Sequence, residues 1–405
     1  MQRIARKAYL NWLLRWKEQP IIKVISGVRR CGKSTLFDIF QEDLLGRGVR
    51  REQLIALNFE SLEYEDLTDY RRLYGHITGR LLPDCMNYIF LDEVQHVGHF
   101  ERVVDSLFLR EDCDVYITGS NAYLMSGELA TLLSGRYVEL KMLPLSFAEF
   151  CSGAAPDAAL TNAEMFRRYL TYSSFPYVLR FGLGPQEARE YLLDIYHTVL
   201  LKDVVARLRV SDVTMLENIT KFMLHNIGNL VSTTKIANTL KSQGTRVDQK
   251  TVDKYLHGLT DSLVLYEAGR YNIKGKQYLS QHHKYYAVDI GIRNALVRGR
   301  DSDIGHILEN IVYLELLRRG HQVYIGQMDE GEVDFVTIDP DGIAYYQVAA
   351  TTLEESTLAR ELAPLRRIRD NYPKYLLTLD EVFGDADYEG IQKRNVLKWL
   401  LAGEG

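Results

Sequence analysis

The sequence has few cysteines and no long apolar run, and both absences limit the classes of protein it can belong to. Its four cysteines stand far apart, without the spacing of a disulfide framework or a zinc site. No apolar stretch approaches the roughly 20 residues of a transmembrane helix. The basic N-terminus lacks the apolar core of a signal peptide. We therefore expect a cytoplasmic location and no membrane partner.

Excess positive charge is also absent. The net charge of the 405 residues is −5, which excludes a wholly basic nucleic-acid coat but permits a local basic face. Hydrophobic residues make up 46% and charged residues 25% of the chain, as in ordinary globular proteins. This length and composition predict two to four folded domains.

The stretch Gly27–Ser34 matches the phosphate-binding template G-x-x-x-x-G-K-[ST] at each fixed position. A β-branched run precedes it and apolar residues at helical spacing follow, so the pattern predicts a strand, a loop and a helix. Backbone amides of such a loop point at phosphate, Lys33 reaches the β- and γ-phosphates, and Ser34 offers its hydroxyl to Mg²⁺. The predicted nucleotide-binding residues are Gly27, Val28, Arg29, Arg30, Cys31, Gly32, Lys33, Ser34 and Thr35.

A second motif lies in the apolar run that ends with two acids, Asp92 and Glu93. In a nucleotide site, Asp92 would hold Mg²⁺ and Glu93 would orient and deprotonate the attacking water. A buried strand with an acidic end is common by itself. Together with the upstream loop, it predicts hydrolysis of a nucleotide, with Mg²⁺ as cofactor.

Two further catalytic candidates follow, each with an ordinary structural alternative. Asn121 or Ser120, at the end of another predicted strand, is a candidate sensor between phosphate and water, or an ordinary strand-end turn. Arg136 is a candidate for stabilising transition-state charge, within the chain or across a subunit boundary. As an isolated arginine it would instead form a surface ion pair.

Several strings of this chain resemble one family, the prokaryotic AAA-like P-loop ATPases that carry an uncharacterised C-terminal half. These strings are ISGVRRCGKSTL, YIFLDEVQ, TGSNAYLMSGELATLLSGRYVELKMLPLSFAEF, YSSFPYVLR and LLKDVVAR. The resemblance implies an α/β fold with an AAA-like P-loop NTPase domain, followed by a helical lid. It also implies ATP as the nucleotide, in agreement with the lack of a guanine-reading N-K-x-D motif after the acid pair.

The middle of the chain predicts a winged helix, two short helices followed by a hairpin. From Ser232 to Lys284 there are nine Lys and Arg residues against four Asp and Glu. A basic stretch on such a fold favours phosphate contacts with DNA. The alternative is a protein-binding winged helix with solvated lysines. The DNA-binding candidates are Arg246, Lys250, Lys254, Lys274 and Lys276.

The last part of the chain resembles the PD-(D/E)xK nuclease fold in the order of its elements. Glu309 and Asp334 match the first two acidic positions, and Gln347 stands at the third. Ala349 occupies the position where the pattern has lysine, so no side chain there can stabilise charge. We therefore expect a degenerate site without cleavage activity.

These motifs predict four domains: 1–152 the P-loop ATPase core, 153–230 the helical lid, 231–288 the winged helix, and 289–405 the PD-(D/E)xK-like domain. The leading hypothesis is an ATPase that acts as a DNA-linked or partner-linked switch. One alternative is an ATPase-regulated nuclease, which needs a basic group from elsewhere, such as Lys374. Another is a signalling ATPase that binds a protein partner, through the C-terminal domain, and no DNA. The oligomeric state stays open.

Overall fold

The computed structural model divides the chain into two compact units, Met1–Pro144 with Asp261–Leu263 and Leu145–Thr260 with Val264–Gly405. The structure describes residues 3–120, 133, 135–154, 160–180, 184–198, 204–205, 208–210, 212–242, 244–245, 247–297 and 303–402.

The first unit alternates strands and helices. Its strands are β1 Ile22–Gly27, β2 Leu54–Asn58, β3 Asn87–Asp92, β4 Cys113–Ser120 and β5 Tyr137–Met142. Its α-helices are α1 Lys7–Trp16, α2 Lys33–Gly46, α3 Tyr70–Thr78 and α4 Phe100–Phe108. Short 3-10 turns lie at Arg51–Gln53, Leu62–Thr68 and Val94–His96.

The five strands form one parallel sheet in the order β2-β3-β4-β1-β5. Every residue of β1 and of β3 is buried, as expected for central strands covered on both faces. Alternate residues of β3 serve opposite faces: Phe90 packs against Phe37 and Phe40 of α2, whereas Ile89 and Leu91 belong to the apolar cluster that includes residues of α3 and α4.

The carboxyl ends of the parallel strands meet at one edge of this sheet. Asn58 pairs with Asp92 in the strand register, and Gly27 pairs with both Ser120 and Met142. Ligands of open α/β sheets bind at this edge. The fold therefore brings the predicted phosphate loop and the acid pair to the same place.

The second unit contains helices and one large sheet. Its α-helices are α5 Phe147–Gly153, α6 Asn162–Tyr172, α7 Pro176–Arg180, α8 Pro185–His197, α9 Val213–His225, α10 Thr233–Ser242, α11 Gln249–Asp261, α12 Ile290–Leu296, α13 Ile304–Arg318, α14 Glu355–Arg367 and α15 Val396–Leu401. Its strands are β6 Leu230–Val231, β7 Leu265–Asn272, β8 Gln277–Ala287, β9 Val323–Gln327, β10 Glu332–Asp339, β11 Gly342–Ala349, β12 Lys374–Thr378, β13 Ala386–Tyr388 and β14 Ile391–Asn395.

The nine strands follow the order β13-β14-β12-β11-β10-β9-β7-β8-β6. The predicted two-helix and hairpin elements are present as α10, α11 and the β7–β8 hairpin, and β8 begins at Gln277, earlier than the predicted Lys284. Strand β7 also pairs with β9 through Arg270 and Ile325. One hydrogen-bonded sheet therefore contains strands from both sides of residue 288, where the winged helix was predicted to end. The predicted boundaries of the lid, winged-helix and C-terminal domains stay a prediction.

Within the part of the chain that the structure describes, no helix is both long and apolar enough to cross a membrane.

Candidate nucleotide site

The phosphate loop connects β1 to α2 and depends on two glycines. Gly32 lies just before α2 with φ 103°, a left-handed conformation that glycine adopts without a Cβ penalty. A Cβ at Gly27 would lie 2.5 Å from the carbonyl oxygen of Met142. The loop therefore fits against β5 only because position 27 lacks a side chain.

Lys33 begins α2, and its ammonium group is buried between the loop and the acid pair. The Nζ atom donates to the carbonyl oxygen of Gly27 at 3.2 Å and lies 3.5 Å from Oε1 of Glu93. Both partners are groups that a bound phosphate would compete with for this cation. Lys33 thus lies where it can exchange an internal carboxylate for an anionic ligand.

Asp92 accepts hydrogen bonds from three neighbouring elements. Its Oδ1 accepts from the Thr118 hydroxyl on β4, and its Oδ2 accepts from the Asn58 amide on β2 at 3.0 Å. Burial raises the pKa of Asp92, although hydrogen bonds from Ser34 and Thr118 oppose that rise. The Asp92 carboxylate thus lies next to Ser34, and these are the two residues predicted to bind Mg²⁺.

Glu93 follows with a left-handed backbone, φ 54°, so its side chain turns away from the line of β3. Its backbone N–H donates to the Thr118 hydroxyl at 3.0 Å, and the Gln95 amide donates to Oε2 at 2.6 Å. Burial raises the pKa of Glu93, but Lys33 and Gln95 outweigh it and hold that pKa below its ordinary value. A proton acceptor is thus available at neutral pH.

A possible second set of metal ligands lies beside the acid pair. One ligand atom from each of Glu60, Glu93 and His96 lies within 4.8 Å of the others. Glu60 and His96 are exposed, and Glu60 also lies 3.4 Å from Arg29 of the phosphate loop. Exposed acids of this kind commonly lack a metal, so this trio adds no assignment to the site.

Arg6 is a buried residue of this site that the sequence did not reveal. It precedes α1 and is 4% exposed. Its guanidinium donates to the carbonyl oxygen of Cys31 in the phosphate loop at 3.1 Å and to that of Leu143 at 2.7 Å. Tyr9 of α1 accepts a hydrogen bond from the Leu143 amide at 3.1 Å. The N-terminal segment therefore braces the loop, and an arginine before an amphipathic helix gave no sequence signal for that role.

Arg136 does not lie beside the phosphate loop and the acid pair. The next residue, Tyr137, pairs with Ile22 at the amino end of β1, whereas the phosphate loop leaves the opposite end. The guanidinium lies 3.9 Å from Asp105, as in the surface ion-pair alternative. The predicted position near the active edge is therefore wrong, because the strand carries Arg136 to the other end of the sheet. Action across a subunit boundary stays a prediction.

Two predicted residues, Asn121 and Arg246, lie outside the described residues. The described end of β4 supplies Thr118, which bonds to both acids of the pair. The sequence did not single out Thr118. Strand order could have found it, because β4 lies between β1 and β3.

The remaining DNA-binding candidates are exposed. Lys250 and Lys254 lie on α11, and Lys274 and Lys276 lie on the turn of the β7–β8 hairpin. Lys274 forms an exposed ion pair with Asp329 at 2.7 Å. Their exposure permits contact with a ligand, and DNA binding itself stays a prediction.

The three residues of the predicted degenerate site lie on neighbouring elements, Glu309 on α13, Asp334 on β10 and Gln347 on β11. The Asp334 backbone N–H donates to Oε1 of Gln347 at 3.4 Å. Lys374 is held elsewhere, because its Nζ donates to the carbonyl oxygen of Asp370 at 2.6 Å. The cation beside Glu309 is Lys284, at 3.0 Å. Its only sequence signal was a charge just before the apolar end of β8.

Comparison with known proteins gives two family matches. Residues 19–151 match the sequence model of a family described as an AAA domain, and residues 163–303 match a domain of unknown function, DUF8612. The first match covers the phosphate loop, both acids and all five strands of the first sheet.

Relatives match along nearly the whole chain. An uncharacterised protein of Haemophilus influenzae is 38% identical over 402 residues, which cover 98% of each chain. The uncharacterised protein MJ1544 of Methanocaldococcus jannaschii is 26% identical over 403 residues, covering 93% of this chain and 84% of its own.

Among solved structures, the Walker-type ATPase PABY2304 of Pyrococcus abyssi has a similar fold. It aligns with a TM-score of 0.50 and 16% identity, over 73% of this chain and 96% of its own. At this identity the likeness concerns the fold alone.

Proposed function

This chain belongs to the protein family of the Haemophilus influenzae relative, and on that premise we propose that its AAA domain binds ATP and hydrolyses it to ADP and phosphate with Mg²⁺. One observation carries the proposal. Lys33, Ser34, Asp92 and Glu93, which come from separate parts of the sequence, converge at the carboxyl edge of one parallel sheet.

The residues present fit both ATP and its metal ion. Gly27 lets the phosphate loop pack closely against β5, because a Cβ there would meet the Met142 carbonyl oxygen, and the buried ammonium group of Lys33 donates to the Gly27 carbonyl oxygen of the loop. Ser34 and Asp92 would hold Mg²⁺, with the hard oxygen ligands that this ion prefers. The ion would neutralise charge on the β- and γ-phosphates.

The chain's own groups would divide the work of hydrolysis. The loop amides and Lys33 bind and orient the phosphates, drawing Lys33 away from Glu93. Glu93, held by Gln95 and by its bond to Thr118, then accepts a proton from the attacking water. Water attacks the γ-phosphorus, and the bond from that phosphorus to the β,γ-bridging oxygen breaks.

The test compares ATP hydrolysis and ATP binding in three variants of the full chain. For Glu93→Gln we expect hydrolysis to fall by a factor on the order of 10² to 10⁴ while ATP binding persists, because only the proton acceptor is lost. For Lys33→Ala we expect both to fall. Glu65→Gln, an exposed acid of the same unit, is the matched control and should hydrolyse ATP at the unaltered rate. Hydrolysis at the unaltered rate by Glu93→Gln would contradict the assigned role of Glu93.

We further propose that the nucleotide cycle controls contacts of the second unit with DNA, through a winged helix formed by α10, α11 and the β7–β8 hairpin. Support comes from the exposed lysines of α11 and of the hairpin turn. A protein partner is the alternative. DNA binding that weakens as salt rises favours the first, and its absence favours the second.

A further inference from the structure

The second unit exposes apolar side chains on two neighbouring loops that ATP hydrolysis does not use. Leu353 lies on the loop after β11, and Val382 and Phe383 lie on the loop between β12 and β13. Their exposed fractions are 63%, 63% and 76%. We call this surface the Phe383 patch, and it consists of these three apolar residues and the three exposed acids next to them in the chain, Glu354, Glu355 and Glu381.

Strand order brings the two loops together. Strands β11 and β12 are parallel neighbours, and Ala349 at the end of one pairs with Thr378 at the end of the other. Both loops therefore leave the same edge of the sheet. Just beyond the strands, the Leu379 amide donates to the carbonyl oxygen of Ala350 at 3.2 Å, so the loops stay in contact as they leave the sheet.

Buried Asp380 then fixes both loops to each other. The Thr351 hydroxyl donates to Oδ1 of Asp380 at 2.6 Å, and the Thr352 amide donates to Oδ2 at 3.0 Å. Leu353 is the next residue after Thr352. Val382 is only two residues from Asp380, so the apolar side chains of both loops rise from one hydrogen-bonded base.

The backbone of Phe383 is unusual for an aromatic residue. Its φ of 53° is in the left-handed region, which is unfavourable for a bulky side chain. The ring is mostly exposed, so the fold itself gains little from a phenylalanine at this position. Strained residues cluster at ligand sites, and apolar patches with a polar rim mark surfaces that bind a partner. Phe383 therefore favours an interaction surface.

The charge of the patch limits what this partner can be. Among the residues that the structure describes, the three acids of the patch form no ion pair. The nearby cations are engaged elsewhere, because Lys393 lies 2.8 Å from Asp380 and Lys398 lies 2.9 Å from Asp385. Negative charge repels the phosphates of nucleic acid and of anionic lipid. A cationic protein segment is the ligand that complements this surface.

We propose that the Phe383 patch binds a basic amphipathic helix of a partner protein. The apolar face of that helix covers the three apolar side chains, and its lysines or arginines pair with the three acids. Both loops lie outside the strands, so they offer no sheet edge to which an extended peptide could add. A helix satisfies its own backbone hydrogen bonds and presents an apolar stripe beside charged residues, so side-chain contacts suffice. This binding requires no nucleotide and is separate from ATP hydrolysis.

The test measures peptide binding to the full chain without nucleotide, by fluorescence anisotropy at about 150 mM salt. Three labelled peptides of about 18 residues are compared. The first carries leucine on one helical face and lysine on the other. The second has the same composition in a scrambled order without an apolar face, and the third has glutamate in place of lysine. We expect the first to bind, and the other two to bind at least about tenfold more weakly.

The apolar contacts are tested by Val382→Ser with Phe383→Ser. This double variant should bind the leucine–lysine peptide more than about tenfold more weakly, because the apolar face of the peptide is no longer covered. The matched control is Leu62→Ser with Leu109→Ser, two exposed apolar residues of the first unit, and it should bind the peptide unaltered. All four side chains are exposed, so both double variants should keep the melting temperature of the unaltered chain.

The charge is tested by Glu354→Lys with Glu381→Lys, which should bind the leucine–lysine peptide more weakly and the leucine–glutamate peptide more tightly. Glu52→Lys with Glu65→Lys, two exposed acids of the first unit, changes the net charge equally and should keep the original preference. The proposal is overturned if the leucine–lysine peptide does not bind, if it binds no better than the scrambled peptide, or if the serine variant at the patch binds it as tightly. Equal effects of the two lysine pairs would also overturn it, because attraction by net charge would then explain the binding.

Discussion

Arg6 shows how one residue can control a loop to which it is not adjacent in sequence. Its guanidinium joins the carbonyl oxygens of Cys31 and Leu143, which belong to the phosphate loop and to the segment after β5. These carbonyl groups are buried together with Arg6, so water cannot reach them, and Arg6 supplies the hydrogen bonds that they would otherwise lack. We infer that Arg6 fixes the loop in its ligand-ready form before ATP arrives.

This position predicts a specific kinetic change for Arg6→Lys. The variant keeps the charge but cannot reach both carbonyl groups with a fork of donors. In the variant, the loop must become ordered when ATP binds, and this cost weakens the binding of the substrate and of the transition state equally. KM should therefore rise about tenfold with kcat unchanged. Steady-state ATP hydrolysis measures both constants.

Arg15→Lys is the control for that experiment. Arg15 is an exposed residue of α1, and its replacement should leave KM unaltered. A fall in kcat with unchanged KM for Arg6→Lys would refute a positioning role. A melting temperature close to that of the unaltered chain would show that the effect is local.

At the residue scale, the sequence predicts the position of a functional residue best when that residue belongs to a short motif with one continuous backbone conformation. Lys33 and Ser34 follow Gly32 directly, so the motif fixes their place in the loop. Arg136 was misplaced because its position depends on which end of β5 it occupies, and that depends on strand register. Arg6 depends on tertiary contact alone, which local pattern does not encode.

At the element scale, β4 and β8 show what strand order adds. The insertion of β4 between β3 and β1 brings Thr118 to both acids of the pair. The pairing of β7 with β9 joins the predicted wing to the C-terminal strands and carries Lys284 to Glu309. Both pairings are non-local, so the strands could be predicted from sequence but their neighbours could not.

The β7–β8 hairpin carries a prediction about DNA. Lys274 and Lys276 are exposed at its turn, as expected of a wing that contacts phosphates. The slope of log affinity against log salt is negative, and its magnitude grows with the number of phosphate contacts. If each lysine contacts one phosphate, Lys274→Glu with Lys276→Glu should make this slope shallower by about 2. Fluorescence anisotropy of labelled duplex across a salt series measures this slope.

A second pair of charge reversals provides the comparison. Lys398 and Arg366 are exposed residues of the same unit, and each forms an exposed ion pair, as Lys274 does. Lys398→Glu with Arg366→Glu changes the net charge equally and should leave the slope unaltered. If both double variants make the slope shallower by the same amount, DNA binding depends on net charge alone and the hairpin is not a specific DNA contact.

At the scale of the whole molecule, the comparisons match an AAA domain at residues 19–151, and the predicted α/β core with its parallel sheet is confirmed. The predicted switch concerns two sites, the phosphate loop in one compact unit and the hairpin in the other. Such coupling is a difference in free energy between states. It can therefore be measured from either site, whatever structural change carries it.

Reciprocity makes the switch testable in the Glu93→Gln variant, which should hold ATP without consuming it. If ATP raises the affinity for DNA about tenfold, DNA must raise the affinity for ATP by the same factor, a coupling of about 1.4 kcal/mol. Two titrations measure the two factors independently, one of DNA with and without ATP and one of ATP with and without DNA. Lys33→Ala, whose ATP binding should fall, should show a correspondingly smaller nucleotide effect on DNA affinity at the same ATP concentration. Binding of both ligands with neither affected by the other would exclude a DNA-linked switch, even with ATP hydrolysis intact, because the energy of the cycle would then not reach the second unit.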